Sequence, residues 1–239
     1  MNEVALVTGG NKGIGREIVR GLAARGLTVY LGARDPRRGQ TAVAELASEN
    51  IRFVQLDVTS ETSVRAAIDT IETAAGRLDV LVNNAGVMLD WGTPATAALL
   101  RETFEVNVFG VVTVTSACLP LLRRSPNPRI VTMSSGLGSL TMLSDPTSPL
   151  PARGFLAYSS SKAALNALTV TYANALRADG IKVNAVSPGM VPTDQNAAAP
   201  FPRGNRTAAE GAAVAIQLAT IPADGPTATF HGPNGTIPW

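Results

Sequence analysis

The sequence predicts an α/β fold: a single Rossmann-like domain with a doubly wound parallel sheet flanked by helices. Three observations predict it. Short runs rich in β-branched residues alternate with helix-patterned segments along the 239 residues. Those runs are almost continuously apolar, as strands buried on both faces must be. The first run ends in a glycine-rich turn that opens directly into a helix pattern, VALVTGGNKGIGREIV.

The strand-like runs are VALVT (4–8), TVYLGA (28–33), RFVQLDV (52–58), LDVLVNN (78–84), RIVTMSS (129–135) and IKVNAVSP (181–188). The run ATF near Phe230 is a candidate last strand. Between the first two runs, Ile14, Ile18, Val19 and Leu22 recur at helical spacing, and Gly26 supplies a left-handed stop. Segments 41–49, 60–75, 95–115 and 159–178 follow the same periodicity. No repeat or linker divides the chain, so 1–239 reads as one dinucleotide-binding domain. Segments 137–155 and 188–206 break the pattern with prolines. Both follow strand ends, where such sheets place their ligands, and both read as active-site loops rather than regular helix.

Composition narrows the function. Hydrophobic residues make up 45% and charged residues 16%, with a net charge of +2. That is a folded, globular balance. The basic residues are scattered, which argues against a nucleic-acid partner. The one cysteine, Cys118, forms neither an intrachain disulfide nor a cysteine metal cluster and suits a reducing, cytoplasmic setting. With His231 as the only histidine, a His-rich metal site is excluded and a Ser-His-Asp hydrolase is disfavoured. No apolar run reads as long enough to span a membrane, and MNEVALVTGG lacks the basic start of a signal peptide.

Acid–base chemistry therefore falls to Tyr, Lys or carboxylates. The stretch AYSSSKAAL (157–165) places Tyr158 four residues ahead of Lys162. On a helix the two share one face. An ammonium beside a phenol favours the phenolate and lowers its pKa. On this pair alone, an ordinary surface tyrosine and lysine compete with a catalytic pair. The glycine turn adds a second signal. Gly9, Gly13 and Gly15 let backbone N–H groups approach a pyrophosphate, and the helix N-terminus contributes its positive dipole end.

Taken together, these motifs resemble those of the short-chain dehydrogenase/reductase family. TGGNKGIG (8–15) resembles its signature turn, NNAG (83–86) the motif after the fourth strand, and VNVFG the segment carrying its catalytic asparagine, here Asn107. VTMSSG resembles the segment with the catalytic serine, YSSSK the Tyr–Lys pair, and SPGMVPT the loop closing on the nicotinamide. They occur in family order over nearly the whole chain.

The resemblance implies a catalytic set of Asn107, Ser135, Tyr158 and Lys162. Tyr158 would protonate the developing alkoxide as hydride leaves the nicotinamide. Lys162 would lower its pKa and hold the ribose, and Ser135 would bind the substrate carbonyl. Asn107 would anchor a water in a relay to Lys162. Ser135 is preferred over Ser134 as the second of the pair. Gly9, Asn11, Lys12, Gly13, Ile14 and Gly15 would cradle the cofactor. Asp57 and Val58 would edge the adenine, and Asn84, Ala85 and Gly86 the adenosine ribose. Pro188, Gly189, Val191 and Thr193 would contact the nicotinamide side, and Asn83 would be structural.

The family's NAD-selecting acid position is Ala33, which cannot bind ribose hydroxyls. Arg34 follows it, and Lys12 lies in the glycine turn, so two cations could flank a 2′-phosphate. Asp35, about 20 residues past Gly15, is the counter-evidence. The expectation is NADP(H), with NAD(H) as the alternative.

The Pro-rich stretch before Tyr158, with NKGIG and ARDPRRG, resembles the carbonyl reductase branch. That branch implies a monomer or an atypical dimer and a small-molecule carbonyl or alcohol substrate. Met142, Leu143, Phe155, Met190, Phe201 and Trp91 are candidates for an apolar pocket suited to a lipophilic compound. An NAD-dependent alcohol dehydrogenase and a non-catalytic NADP(H) sensor are the competing readings.

Overall fold

The computed structural model describes residues 2–91, 94–148, 155–199 and 202–239. Phe201 of the expected pocket lies outside them. Eight strands form one sheet in the order β3-β2-β1-β4-β5-β6-β7-β8. They are β1 (Val4–Thr8), β2 (Thr28–Ala33), β3 (Ile51–Gln55), β4 (Val80–Asn83), β5 (Arg129–Met133), β6 (Lys182–Val186), β7 (Thr229–Gly232) and β8 (Gly235–Thr236). All neighbours pair in parallel except β7 and β8, which form an antiparallel hairpin.

The sheet's alternation sorts its side chains onto two cores. Ala5, Val7, Val29, Leu31, Val82 and Val131 face α1 (Gly13–Ala23), α2 (Pro36–Leu46) and α8 (Ala208–Ala219). Val4, Leu6, Tyr30, Val54, Leu81 and Ile130 face α3 (Glu61–Ala75), α5 (Gly110–Leu122) and the end of α7 (Leu156–Ala175). Burial on both faces explains why the strands read as continuous apolar runs. Cys118 is free and buried in the second core.

Several elements depart from the sequence reading. Helix α2 begins at Pro36 because Asp35 caps it, its Oδ1 accepting from the N–H groups of Arg37 (2.9 Å) and Arg38 (3.1 Å). Proline at the first helical position needs no donor, so the helix starts before the periodicity is visible. The helix expected at 95–115 is α4 (Ala97–Phe104), a π-turn (Glu105–Phe109) and α5, continuing past Pro120 to Leu122. By length and composition this span could cross a membrane, contrary to the sequence reading. Half of its most apolar window is buried in the protein, as in a core helix. The segment expected to lack helix contains a 3-10 turn (Gly136–Gly138) and α6 (Leu140–Ser144), both ending before the first proline. Helix α8 and strand β8 were not expected. Thr207 and Glu210 form a capping box that marks the start of α8.

Strand order reverses between β1 and β4, and the chains leave those strands in opposite directions. The crevice at their C-terminal ends is where an open α/β sheet holds a ligand.

Candidate active site

The crevice is built first by one threonine. The Thr8 hydroxyl, at the end of β1, accepts hydrogen bonds from the N–H groups of Asn84 and Ala85, both at 3.0 Å. The Asn84 amide donates to the carbonyls of Thr8 (2.8 Å) and Gly9 (3.1 Å). The two turns are thereby fastened together across the switch point. Asn84, expected at the adenosine ribose, commits its amide nitrogen to the glycine turn. Gly15 is required here, because a Cβ would lie 2.4 Å from both the Asn84 Nδ2 and the Gly9 carbonyl oxygen. Asn83 donates to the Thr115 hydroxyl at 3.0 Å, as a structural residue should.

Helix α1 opens from this turn without a side-chain cap, and no acidic residue occupies its first turn. By contrast α2, α3 and α8 are capped by Asp35, Ser60 and Thr207. The open α1 terminus fits the pyrophosphate of a dinucleotide, whose charge its N–H groups would receive. Asp57 folds back on Thr59, and Val58 is buried against Gly110. The Asp57 N–H also donates to the Ser63 hydroxyl at 3.0 Å. Arg34 is exposed just beyond β2. Lys12, expected near a 2′-phosphate, has its Nζ 3.0 Å from Asp194.

The four candidate catalytic residues converge on the other side of the crevice. The π-turn adds a residue to the helix and points Asn107, fully buried, at the segment after β4. Its Oδ1 accepts from the Val87 N–H at 2.8 Å, and its Nδ2 donates to the Val87 carbonyl at 2.9 Å. Such bulges recur at functional sites. A Cβ on Gly86 would lie 3.3 Å from Asn107 Oδ1 and 3.6 Å from Lys162 Nζ, which places these groups around one point. Ser134 and Ser135 leave β5 in opposite directions. Ser134 donates to Asn166 Oδ1 at 2.6 Å and is buried. Ser135 faces the cavity beside Tyr158.

Helix α7 begins before Tyr158, so the Tyr–Lys pair is helical and shares a face. Lys162 Nζ lies 5.4 Å from the Tyr158 ring centroid and donates to the Met133 carbonyl at 2.8 Å. Burial lowers the Lys162 pKa to about 8. The Tyr158 pKa moves opposite to the direction expected from the neighbouring ammonium. Burial pushes the phenol up to about 12, the Ser135 and Gln195 side chains act against that rise, and Asp90 adds to it. Desolvation of a buried phenolate outweighs the neighbouring dipoles. The phenol is therefore protonated at neutral pH.

A cavity of about 260 Å³ opens on Tyr158 and Ser135. Trp91, Phe155 and Met190 line it as expected, with Met88 and Leu137. Met142 and Leu143 lie on α6 outside the lining. Pro188, Gly189, Val191 and Thr193 form the wall on the β6 side, facing Ile14. Sequence reading missed Gln195 and Asp90. Trp91 Nε1 donates to the Gln195 carbonyl at 3.0 Å, across the mouth. No local pattern announces either residue, because each acts on a segment far away in sequence.

Among the described residues there is no cluster of His, Cys, Asp or Glu that could hold a metal ion. The family model for short chain dehydrogenase matches residues 3–201. Salutaridine reductase of Papaver somniferum is 35% identical, over 95% of this chain and 93% of that protein. (+)-Neomenthol dehydrogenase of Capsicum annuum is 32% identical, over 95% and 94%. The solved structure of salutaridine reductase superposes with a TM-score of 0.83 at 34% identity, covering 96% of this chain and 99% of the other. The Pseudomonas aeruginosa RhlG/NADP active-site complex gives 0.83 at 29% identity, covering 96% and 94%. The chain belongs to the short-chain dehydrogenase/reductase family and is an NAD(P)-dependent oxidoreductase acting between CH–OH and C=O groups of a small molecule.

Proposed function

We propose that the protein reduces a lipophilic ketone or aldehyde with NADPH. The observation that carries this reading is the buried Tyr158 phenol beside Ser135 at an otherwise largely apolar cavity. Reduction needs an acid at that point, and oxidation needs a base. The cofactor, when bound, supplies hydride. Ser135 donates a hydrogen bond to the substrate carbonyl, and Tyr158 delivers its proton to the oxygen as charge develops. Lys162 holds the ribose hydroxyls, and Asn107 anchors the water that returns a proton to Lys162. The relatives named as reductases, and the NADP held by RhlG, support the direction and the cofactor.

Arg34 receives the 2′-phosphate in this reading. Asp35, the residue that would favour NAD, is already occupied in capping α2. The chain is proposed to be cytoplasmic and to act as a monomer or atypical dimer, and a stable tetramer in light scattering would contradict the oligomeric assignment. The test of function is NADPH oxidation across a panel of ketones, aldehydes and quinones, repeated with NADH. Tyr158→Phe serves as the blank and should abolish turnover while cofactor binding persists. Turnover that survives this substitution removes Tyr158 as the acid. Preferential oxidation of alcohols with NAD would favour the dehydrogenase reading.

A further inference from the structure

Asp90, in the loop after β4, is only 5% exposed. Its Oδ2 accepts hydrogen bonds from the backbone N–H groups of Ala157 (3.0 Å) and Tyr158 (3.3 Å). These are first-turn donors of α7, which no intrahelical carbonyl can satisfy. The residue at the N-cap position is Phe155, whose side chain makes no cap. The carboxylate that replaces it comes from 67 residues earlier in the chain. It therefore fastens the loop carrying Trp91 to the turn carrying Tyr158.

Capping alone does not explain a carboxylate. Asp90 Oδ1 is buried with no hydrogen-bond partner among the described residues, and an unpaired acceptor in the interior costs free energy. A serine, threonine or asparagine at the N-cap position would satisfy such donors without burying a charge. What the carboxylate adds is a negative charge that opposes ionisation of the Tyr158 phenol. The charged groups around that phenol among the described residues are Lys162, from the same helix, and Asp90, from the β4–α4 loop. Ser135 and Gln195 contribute neutral dipoles. Lys162 directs its ammonium to the Met133 carbonyl, and among the described residues Asp90 has no salt bridge.

We propose that Asp90 is a positioning residue for the reduction: it fixes the backbone of Tyr158 through the first turn of α7, and it brings a carboxylate to the turn that carries the acid. The inference rests on the reductase reading above. Like charges oppose one another, and the Asp90 carboxylate adds to the rise that burial imposes on the Tyr158 phenol.

The experiment compares Asp90→Asn with Asp90→Ala in the full-length chain. Asparagine keeps an acceptor for the two N–H groups and removes the charge; alanine removes both. Tyr158 is titrated by NMR of ring-labelled tyrosine, its signal assigned by loss in Tyr158→Phe. In parallel, kcat is followed against pH with NADPH and phenanthrenequinone, an apolar diketone probe. Asp90→Asn should melt close to the unsubstituted protein. Its Tyr158 should titrate at lower pH, and the alkaline fall in kcat should move the same way. Asp90→Ala should lose roughly tenfold or more in kcat with NADPH affinity unchanged. If it does not fold, the asparagine variant alone decides the role of the charge. An unmoved Tyr158 titration in Asp90→Asn reduces the residue to a helix cap and overturns the proposal. If the unsubstituted protein reduces no probe, the reductase reading fails, while the NMR titration still answers for Asp90.

Discussion

Gly138 lies flat against the backbone of Lys162: a Cβ on Gly138 would sit 2.6 Å from the Lys162 carbonyl carbon and 2.8 Å from its oxygen. The contact presses the turn after β5, which carries Ser135, onto the helix that carries Tyr158 and Lys162. Asn166, one turn further along α7, donates to the Gly138 carbonyl at 2.9 Å and accepts from Ser134 at 2.6 Å. The spacing between Ser135 and Tyr158, the proposed carbonyl-binding serine and acid, is thus set by two backbones in contact. Gly138→Ala should force them apart, destabilising the fold by about 1–3 kcal/mol. Activity should fall further than stability explains, because the shift falls between the reacting groups. Thermal melting and single-turnover reduction, measured on the same sample, check both halves.

Lys162 makes stability depend on pH in a calculable direction. Burial lowers its folded pKa from 10.5 to about 8. Below about 8 the lysine is charged in both states, and the folded protein bears the full cost of burying that charge. Between the folded and unfolded values only the unfolded chain binds the proton, so stability rises with pH, by about 1.4 kcal/mol per unit. Lys162→Met has no such charge. It should be more stable than the unsubstituted protein at neutral pH, with the gap closing as pH climbs above about 8. Tyr158 acts oppositely at the alkaline end. Its pKa is raised by burial, so its contribution is lost as pH rises from about 10 towards about 12. Denaturant titrations of the cofactor-free variants across this range test both signs; a gap that does not change with pH would show that Lys162 is not buried as a charge.

Arg34 and Asp35 are adjacent in sequence and divided in task. Asp35 caps α2, while Arg34 is exposed at the end of β2. Arg34→Ala should weaken NADPH by roughly ten- to a hundredfold, the range of a lost charge-assisted hydrogen bond, and leave NADH nearly untouched. Asp35→Ala should cost about 1 kcal/mol of stability, as a lost cap does, without changing the ratio of the two affinities. Fluorescence titration with both dinucleotides measures that ratio. Selective loss of NADH binding in Asp35→Ala would instead place the carboxylate on the ribose.

The parts of this site that were legible in the sequence are those written locally. The glycine turn, the Tyr158–Lys162 spacing and the alternation of buried strands with amphipathic helices each occupy one short window. Asp90, Gln195 and the destination of Asn84 were not legible, because each meets a partner brought near only by the sheet order. The direction of the Tyr158 pKa shift differs from the sequence expectation for a related reason. Spacing shows that a lysine is close, but the cost of burying the phenolate depends on everything that closes around it. The start of α2 was hidden by Pro36, since a cap and a proline open a helix before any apolar period can be counted.

Lys12 and Asp194 meet across the crevice, 182 residues apart in sequence. Lys12 holds the Asp194 carboxyl below the usual carboxylate range. The side chains are 58% and 78% exposed, so the pair contributes little to stability, about 0–1 kcal/mol. Its consequence lies in what each partner is withheld from. While bound to Asp194, Lys12 is not available to a 2′-phosphate. Asp194→Asn should therefore leave the melting temperature nearly unchanged and tighten NADPH a few-fold, an effect that fades as salt screens the phosphate. NADH, which lacks that phosphate, should bind as before. The opposite pattern has its own meaning: equal weakening of both dinucleotides would show that the pair holds Thr193 against the cofactor, since Thr193 packs beside Gly13 at the mouth of the glycine turn.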